Sequence, residues 1–432
     1  MSVEIISQTE DFITFRMPLQ RGATPLETEN LLQDNLNEVG AIATGTLLKQ
    51  YDADGEPIFV NGVKMTSMGL FNKVYQTPFG PFKVKRHLYQ TSQGGKTYCP
   101  LDVQARIVLS ATPRFAKMVS SKFSEGNARE VVRDLTVNHR RQISLCLVQN
   151  ISETVGAIAQ AAEEVWTYMA PEQKMPVKTI SVGLDGTCMF LVDGGWRQAM
   201  VGTVALYDRN GDRLHTTYVG APPELGRETF LERLEKEVNV AKLRYPRALV
   251  MGLADGAHSN WEFLEKHTSV QVLDFYHASE YLTKAADAVF TDDSHARDDW
   301  LEKVCHRLKH EATGPKSIIK EMVHLTNTTK LAKANRESVD SAIQYFRNNH
   351  HRMTYSLQVS CDRPIGSGVT EAACKVIIKQ RLCCSGMKWK APGAGIVITL
   401  RCLHETEGRW EQYWQKSQEC GYPDGIGNGT FC

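Results

Sequence analysis

The chain has 432 residues, 42% of them hydrophobic, which is enough for about two to four domains with buried cores. Its 50 Lys and Arg against 49 Asp and Glu leave a formal charge of +1, so no strongly polar or low-complexity class fits. No run of about 18 apolar residues occurs and the opening MSVEIISQTEDF is acidic, which argues against membrane insertion and secretion and predicts a soluble, cytoplasmic protein. Eleven cysteines include no CxxC pair, so neither a structural zinc nor a disulfide framework is expected.

Residues 1–60 form an acidic N-terminal segment, with three Lys or Arg against ten Asp or Glu. Residues 61–110 read as a small basic β module, because GLFNKVYQTPFGPFKVKRHLYQTSQGGKTYCPLD alternates aromatic, apolar and basic residues between Gly and Pro turns. Residues 64–143 hold 14 basic against four acidic residues, a local charge that attracts a phosphate backbone although the whole chain is near neutral. The acidic segment is expected to shield that surface until DNA arrives. Residues 111–175 read as several helices with a break at 124–127, a helix-turn-helix-like DNA-binding region. Lys117, Lys122, Arg129, Arg133, Arg140 and Arg141 are its candidate phosphate contacts, and residues 139–150 its candidate groove reader. A purely structural three-helix bundle shows the same pattern.

In residues 176–282, KTISVGLDG, WRQAMVGTVALYD and RLHTTYVGA have strand composition, with a GDR turn between the second and third. PELGRETFLERLEKEVNVAKL has helical spacing, RALVMGLADG reads as a buried strand, SNWEFLEKH as a short helix and SVQVLDFY as a further strand. This βββαβαβ order, hairpins extended by parallel strands through helical crossovers, predicts an α/β, ribonuclease H-like core with its first and fourth strands side by side. Asp185 and Asp255 each close an apolar run and precede glycine, so two acids are expected at those neighbouring strand ends. A single Asp there is more often a cap or turn former.

Residues 283–355 keep a helical pattern and predict a helical insertion. Residues 356–415 complete the core, and residues 416–432 form a tail. In RPIGSGVTEAACKVIIKQRLCCSGMKW a glycine-rich turn delivers Glu371 into the first turn of a basic helix. Asp185, Asp255 and Glu371 together suit Mg²⁺, with Mn²⁺ as a substitute, and two such ions roughly 3.5–4 Å apart support in-line phosphoryl transfer. Lys375, Lys379, Arg381, Lys388 and Lys390 follow with no acid among them, and Trp389 is a candidate platform for an unpaired base of a cleaved DNA end.

These blocks resemble a bacterial DDE transposase of the Kra-type insertion-sequence family, with a more distant similarity to Mutator-like transposases. The resemblance spans most of the chain and rests on SVGLDGT, LADGAHSNW, DFYHASEYL, YFRNNHHRMTY and RPIGSGVTEAACKVIIKQRL with SGMKW behind it. It implies that Asp185, Asp255 and Glu371 are the catalytic, metal-binding carboxylates and that Asp274 with His277 is an accessory DxxH pair. Many relatives carry paired cysteines in the N-terminal module, where this chain has only Cys99, so its apolar residues are expected to hold that module together. The implied activity is Mg²⁺-dependent cleavage at terminal inverted repeats and transfer of the freed 3′-OH to target DNA. The implied assembly is a homodimer or higher oligomer on double-stranded DNA, associated with the nucleoid and not with a membrane. Two other functions stay open: a DNA-binding regulator with a silent acidic site, and a metal-dependent nuclease for structured nucleic acid.

Overall fold

The computed structural model describes residues 3–9, 11–223 and 226–423. The chain forms two compact units: Met1–Tyr168 with Thr399–His404 and Trp410–Cys432, and Met169–Ile398 with Glu405–Arg409. The division between them falls at residue 168, where the sequence pattern put a change of regime at 175.

The first unit opens with a hairpin, β1 (Glu4–Gln8) and β2 (Ile13–Arg16), followed by the long helix α1 (Pro25–Leu48). Thr24 starts α1: its hydroxyl accepts the Glu27 N–H, the Glu27 carboxylate accepts the Thr24 N–H, and Pro25 fills the first turn. The acidic composition of residues 1–60 therefore conceals an ordered, well-capped helix. Next come β3 (Ile58–Val60), β4 (Val63–Gln76), β5 (Pro81–Thr91) and β6 (Gly94–Tyr98), an antiparallel sheet in the order β3-β4-β5-β6. Asn61 and Gly62, both at positive φ, make the two-residue turn between β3 and β4, so the β module begins before residue 61.

A buried ionic cluster, and not apolar packing alone, holds this module. Asp102, only 4% exposed at the start of α2 (Pro100–Gln104), accepts the Tyr75 hydroxyl at 2.5 Å and the Lys73 ammonium at 3.0 Å. The Arg86 guanidinium lies 3.8 Å away. Burial and the Asp102 charge push the Cys99 thiol up to about 11, so it stays protonated. Among the described residues no Cys or His metal cluster occurs in this unit.

Three helices follow, α3 (Pro113–Glu125), α4 (Ala128–His139) and α5 (Leu145–Val165). The α3–α4 break falls where Asn127 caps α4 and Glu130 completes a capping box.

The second unit contains β7 (Thr179–Leu191), β8 (Gly195–Tyr207), β9 (Arg213–Ala221), α6 (Gly226–Arg244), β10 (Leu249–Ala254), α7 (His258–His267), β11 (Val270–Leu273) and α8 (Phe275–Val289). Its five-stranded sheet has the order β11-β10-β7-β8-β9. The pairs β7–β8 and β8–β9 are antiparallel, and β7–β10 and β10–β11 are parallel. This is a mixed α/β architecture whose element order follows the sequence pattern.

The helices α9 (Ser294–His310), α10 (Gly314–Thr328) and α11 (Lys333–Asn349) share one hydrophobic core with the sheet, in which Val304, Ile318 and Phe346 join Val182, Leu184 and Leu253. They are thus an integral layer of the unit. The short helices α12 (Tyr355–Ser360) and α13 (Gly368–Ala373), a π-helical turn at Cys374–Lys379 and α14 (Gln380–Leu382) lead to α15 (Ala391–Glu405) and α16 (Arg409–Cys420). In α16, Trp410, Tyr413 and Trp414 are buried, and the Tyr413 hydroxyl donates to the Val155 carbonyl, so the expected tail starts inside a packed helix. Residues 424–432 of that tail lie outside the described residues. No helix of the described residues is long and apolar enough to cross a membrane.

Candidate active site

Asp185 lies within β7, not at its end. The parallel partner β10 stops pairing at Gly183, whereas antiparallel pairing with β8 carries β7 on to Leu191. Asp255 leaves β10 just after Ala254. Leu253 aligns with Gly183 at the end of this pairing, so each aspartate follows the paired stretch by two residues, and the Asp255 charge is felt at Asp185.

The Asp185 carboxylate is sparsely met. It accepts the Gly186 N–H at 2.6 Å, and the Cys374 thiol lies 3.7 Å from its other oxygen. Among the described residues it forms no ion pair. Burial raises its pKa and the neighbouring charge of Asp255 adds to this, while the Gly186 N–H, the Cys374 thiol and the His277 charge pull the other way.

Two tyrosines hold the Asp255 loop. The Tyr345 hydroxyl on α11 donates to the Asp255 carbonyl at 2.9 Å, and its ring stacks on Tyr281 of α8 with centroids 3.8 Å apart and planes 11° from parallel. Gly256 has φ +109, and a Cβ there would lie 3.3 Å from the Tyr345 ring, so glycine permits both the turn and the approach. The Asp255 side chain accepts the Ala257 N–H at 3.2 Å. Asn260 on α7 donates to the Leu184 carbonyl at 3.3 Å and accepts from Arg227 at 2.8 Å, which pins β7 beside Asp185.

Glu371 arrives on α13, which lies hard against the sheet. A Cβ on Gly183 would come within 2.0 Å of the Thr370 hydroxyl, and that hydroxyl is 2.8 Å from the Thr203 hydroxyl on β8. The Glu371 carboxylate is 3.9 Å from His277 Nδ1.

Asp274 is fully buried and caps α8. One of its oxygens accepts the His277 N–H at 2.7 Å, and the other accepts the Ser367 N–H from the loop before α13. His277 Nδ1 stands 3.5 Å from Asp274, close enough for an ion pair but poorly directed as a hydrogen bond. Burial pushes the Asp274 carboxyl upward, but His277 and the Ser367 N–H outweigh it and hold it at about 2. Chiefly through Asp274, the His277 imidazole is raised to about 9 and is cationic at neutral pH. Asp274 is therefore a clasp that ties the start of α8 to the loop delivering Glu371.

Ligand atoms of Asp274, His277 and Glu371 lie within 4.8 Å of one another, and among the described residues no other acidic, His or Cys trio is so close. Asp185, Asp255 and Glu371 are not drawn together to that spacing. Donor chemistry nonetheless favours the aspartate pair for a hard cation. Both Asp274 oxygens are occupied by N–H groups and His277 is protonated, while Asp185 and Asp255 form no direct ion pair among the described residues, although the His277 charge reaches both.

The candidate DNA-binding residues divide sharply. Arg129 and Arg133 are exposed on α4, and Lys117 and Lys122 are half-buried on α3, Lys122 lying 3.2 Å from Glu125. Arg140 forms a two-pronged pair with Asp34 of α1 at 2.6 and 2.7 Å, so an acid of the N-terminal segment does cover one of these cations. Arg141 is not a surface contact. Arg140 caps α4 in the left-handed conformation, and Arg141 after it is buried over the Phe115 ring, donating to the Gln76 side chain and the Thr77 carbonyl. Residues 139–150 accordingly make a helix end, a short link and the start of α5, not one groove-reading helix.

Lys375, Lys379, Lys388 and Lys390 are exposed. Arg381 is 1% exposed, with its guanidinium 5.2 Å from the Trp389 ring centroid, and so belongs to the interior. Trp389 is half-buried and donates its indole N–H to the Leu382 carbonyl at 3.0 Å, which removes it as an open platform. Sequence patterns overlooked Tyr281, Tyr345 and Cys374. Tyr345 stands in YFRNNHHRMTY, where helical spacing masked its contact with a loop 90 residues away.

No protein-family model and no curated protein matches the chain.

Proposed function

We propose that the second unit is a ribonuclease H-like core and that the protein is a DDE transposase, cutting DNA at transposon ends and joining them to target DNA. The observation that carries this is the Asp185–Asp255 pair: two carboxylates, each two residues past the last paired position of the neighbouring parallel strands β7 and β10, with no direct ion pair to either among the described residues. Adjacent like charges cost stability unless positive charge is supplied, and a carboxyl raised by burial and a neighbouring acid, as that of Asp185 is, belongs to the kind that concentrates at functional sites.

Asp185 and Asp255 would hold Mg²⁺ or Mn²⁺, which when bound supplies Lewis-acid polarisation of phosphate oxygens and charge stabilisation during in-line displacement. Glu371 is the third carboxylate. Its α13 backbone is fixed against β7 and β8 by Thr370, while its side chain, 39% exposed, can turn between His277 and the aspartate pair. Asp274 positions both ends of this exchange, since it bonds the loop before Glu371 and the N–H of His277. Tyr345 and Asn260 steady the loop and the strand that bear the two aspartates.

Lys117, Lys122, Arg129 and Arg133 in the first unit are assigned to double-stranded end binding. Lys375, Lys379 and Lys388 in the second are assigned to the strand being processed. An assembly of two or more copies follows from the need to join two ends together.

The test is incubation of purified wild type, Asp185→Ala, Asp255→Ala and Glu371→Ala with labelled DNA carrying the inverted repeats that flank the coding sequence, in Mg²⁺, Mn²⁺ or EDTA. Cleaved and joined products are expected from wild type alone, only with metal, and with end binding retained in all three variants. Binding without product would favour a silent regulator, and cleavage confined to branched DNA would favour a structure-specific nuclease.

A further inference from the structure

We propose that the free end of the β7–β8 hairpin, bearing Phe190 and Trp196, is a stacking site for unpaired bases of single-stranded DNA. The proposal rests on the function above only for the class of ligand.

The hairpin continues past the parallel part of the sheet, with unbroken register from Thr179–Tyr207 to Leu191–Gly195. Near its end Phe190 and Trp196 face each other across the strands, with ring centroids 5.9 Å apart at 73°. They are 43% and 68% exposed, and Val192 beside them is 49% exposed. Large aromatics held this openly on a regular hairpin mark a surface built to receive a flat apolar group.

Charge decides which group. The Trp389 carbonyl accepts the Val192 N–H at 2.9 Å, and Leu191 bridges to Trp389, so exposed Lys388 and Lys390 flank the residue bonded to the hairpin end. Arg197 adjoins Trp196 and is also exposed. Residues 372–400 contain no acid, and Asp193 is the single acid on the hairpin beyond Asp185. Open aromatic rings among cations are what a single strand requires, with stacking for bases and positive charge for phosphates. Trp389 anchors this arrangement through its backbone, while its ring is engaged by Arg381.

Phe190 stands five residues beyond Asp185, about 17 Å along the strand, and strand alternation puts the two side chains on opposite faces. The bases that stack there therefore belong to a flanking or displaced strand, several nucleotides from the reacting phosphate.

The experiment is fluorescence anisotropy of labelled oligothymidylate, and of an abasic oligomer of the same length, with the full-length protein. The proteins compared are wild type, Trp196→Ala, Trp196→Tyr and the double variant Lys388→Ala, Lys390→Ala, each first checked for an unchanged unfolding temperature. Trp196→Ala is expected to weaken oligothymidylate binding about tenfold and leave the abasic oligomer unaffected, with Trp196→Tyr retaining most of the affinity. The lysine variant is expected to weaken both ligands and to lower the salt slope by about 0.7 for each phosphate that is no longer neutralised.

Equal binding of oligothymidylate by wild type and Trp196→Ala would overturn the stacking site, as would equal weakening of both oligomers. So would loss of self-association in Trp196→Ala with DNA binding intact, which would make this face an interface between copies. A Trp196 effect in a protein that yields no metal-dependent product would support the stacking site while overturning the transposase function.

Discussion

Asp102 in the β module is buried and Asp185 in the second unit's sheet is half-buried, and their surroundings are opposite. Asp102 meets a tyrosine hydroxyl, an ammonium and, at 3.8 Å, a guanidinium. Asp185 meets one N–H and a distant thiol, and the charges of Asp255 and of cationic His277 act on it in opposite directions without a direct ion pair. The chain can therefore neutralise a buried carboxylate where the fold needs it, as it does around Asp102. At Asp185 it supplies no direct ion pair among the described residues, only the charge of His277 at longer range, which leaves the carboxylate open to a cation as a purely structural aspartate would not be.

The largest expected effect lies on the structural side. Asp102→Asn would leave Arg86 and Lys73 without their anion and should destabilise the first unit by about 3 kcal/mol, measured as a shift of its urea transition. A loss below about 0.5 kcal/mol would mean that the cluster is incidental, and the contrast with Asp185 would collapse.

A smaller effect is expected at the loop carrying Asp255. Tyr345→Phe keeps the stack on Tyr281 but removes the hydrogen bond to the Asp255 carbonyl, at a cost of about 1 kcal/mol. The Mg²⁺ concentration for half-maximal cleavage should rise with it, while activity at saturating metal recovers. Recovery at high Mg²⁺ separates a positioning role from a general loss of folding. An unchanged metal midpoint would assign Tyr345 to packing alone.

Much of the second unit was legible because its signals are local. Apolar runs closed by Asp-Gly, a Gly-Asp turn and helical spacing yielded the order of strands and helices and the two aspartates. The position of Asp185 inside β7 was not legible, because the strand's continuation depends on β8, a partner that the residues after Asp185 do not announce. In the first unit the Thr-Pro-Leu-Glu cap of α1 and the Asn-Gly turn at 61–62 were present in the sequence, but acidic composition obscured them. Arg141 and Arg381 looked like surface cations since their helical spacing is the same either way. Only Phe115 and Trp389, brought in by tertiary packing, reveal them as interior residues. The Tyr345 hydrogen bond to Asp255 is equally invisible to any local pattern.

The most direct test of the reserved cation site is thermal unfolding of wild type and Asp185→Asn, each with and without Mg²⁺. Wild type should be stabilised by metal, by about 2.7 kcal/mol at a hundredfold excess over its dissociation constant. Asp185→Asn, relieved of one half-buried charge, should match or exceed wild type without metal and should not respond to it. A variant that is less stable than wild type without metal and is stabilised as much by Mg²⁺ would contradict the assignment of Asp185 as a metal-binding carboxylate.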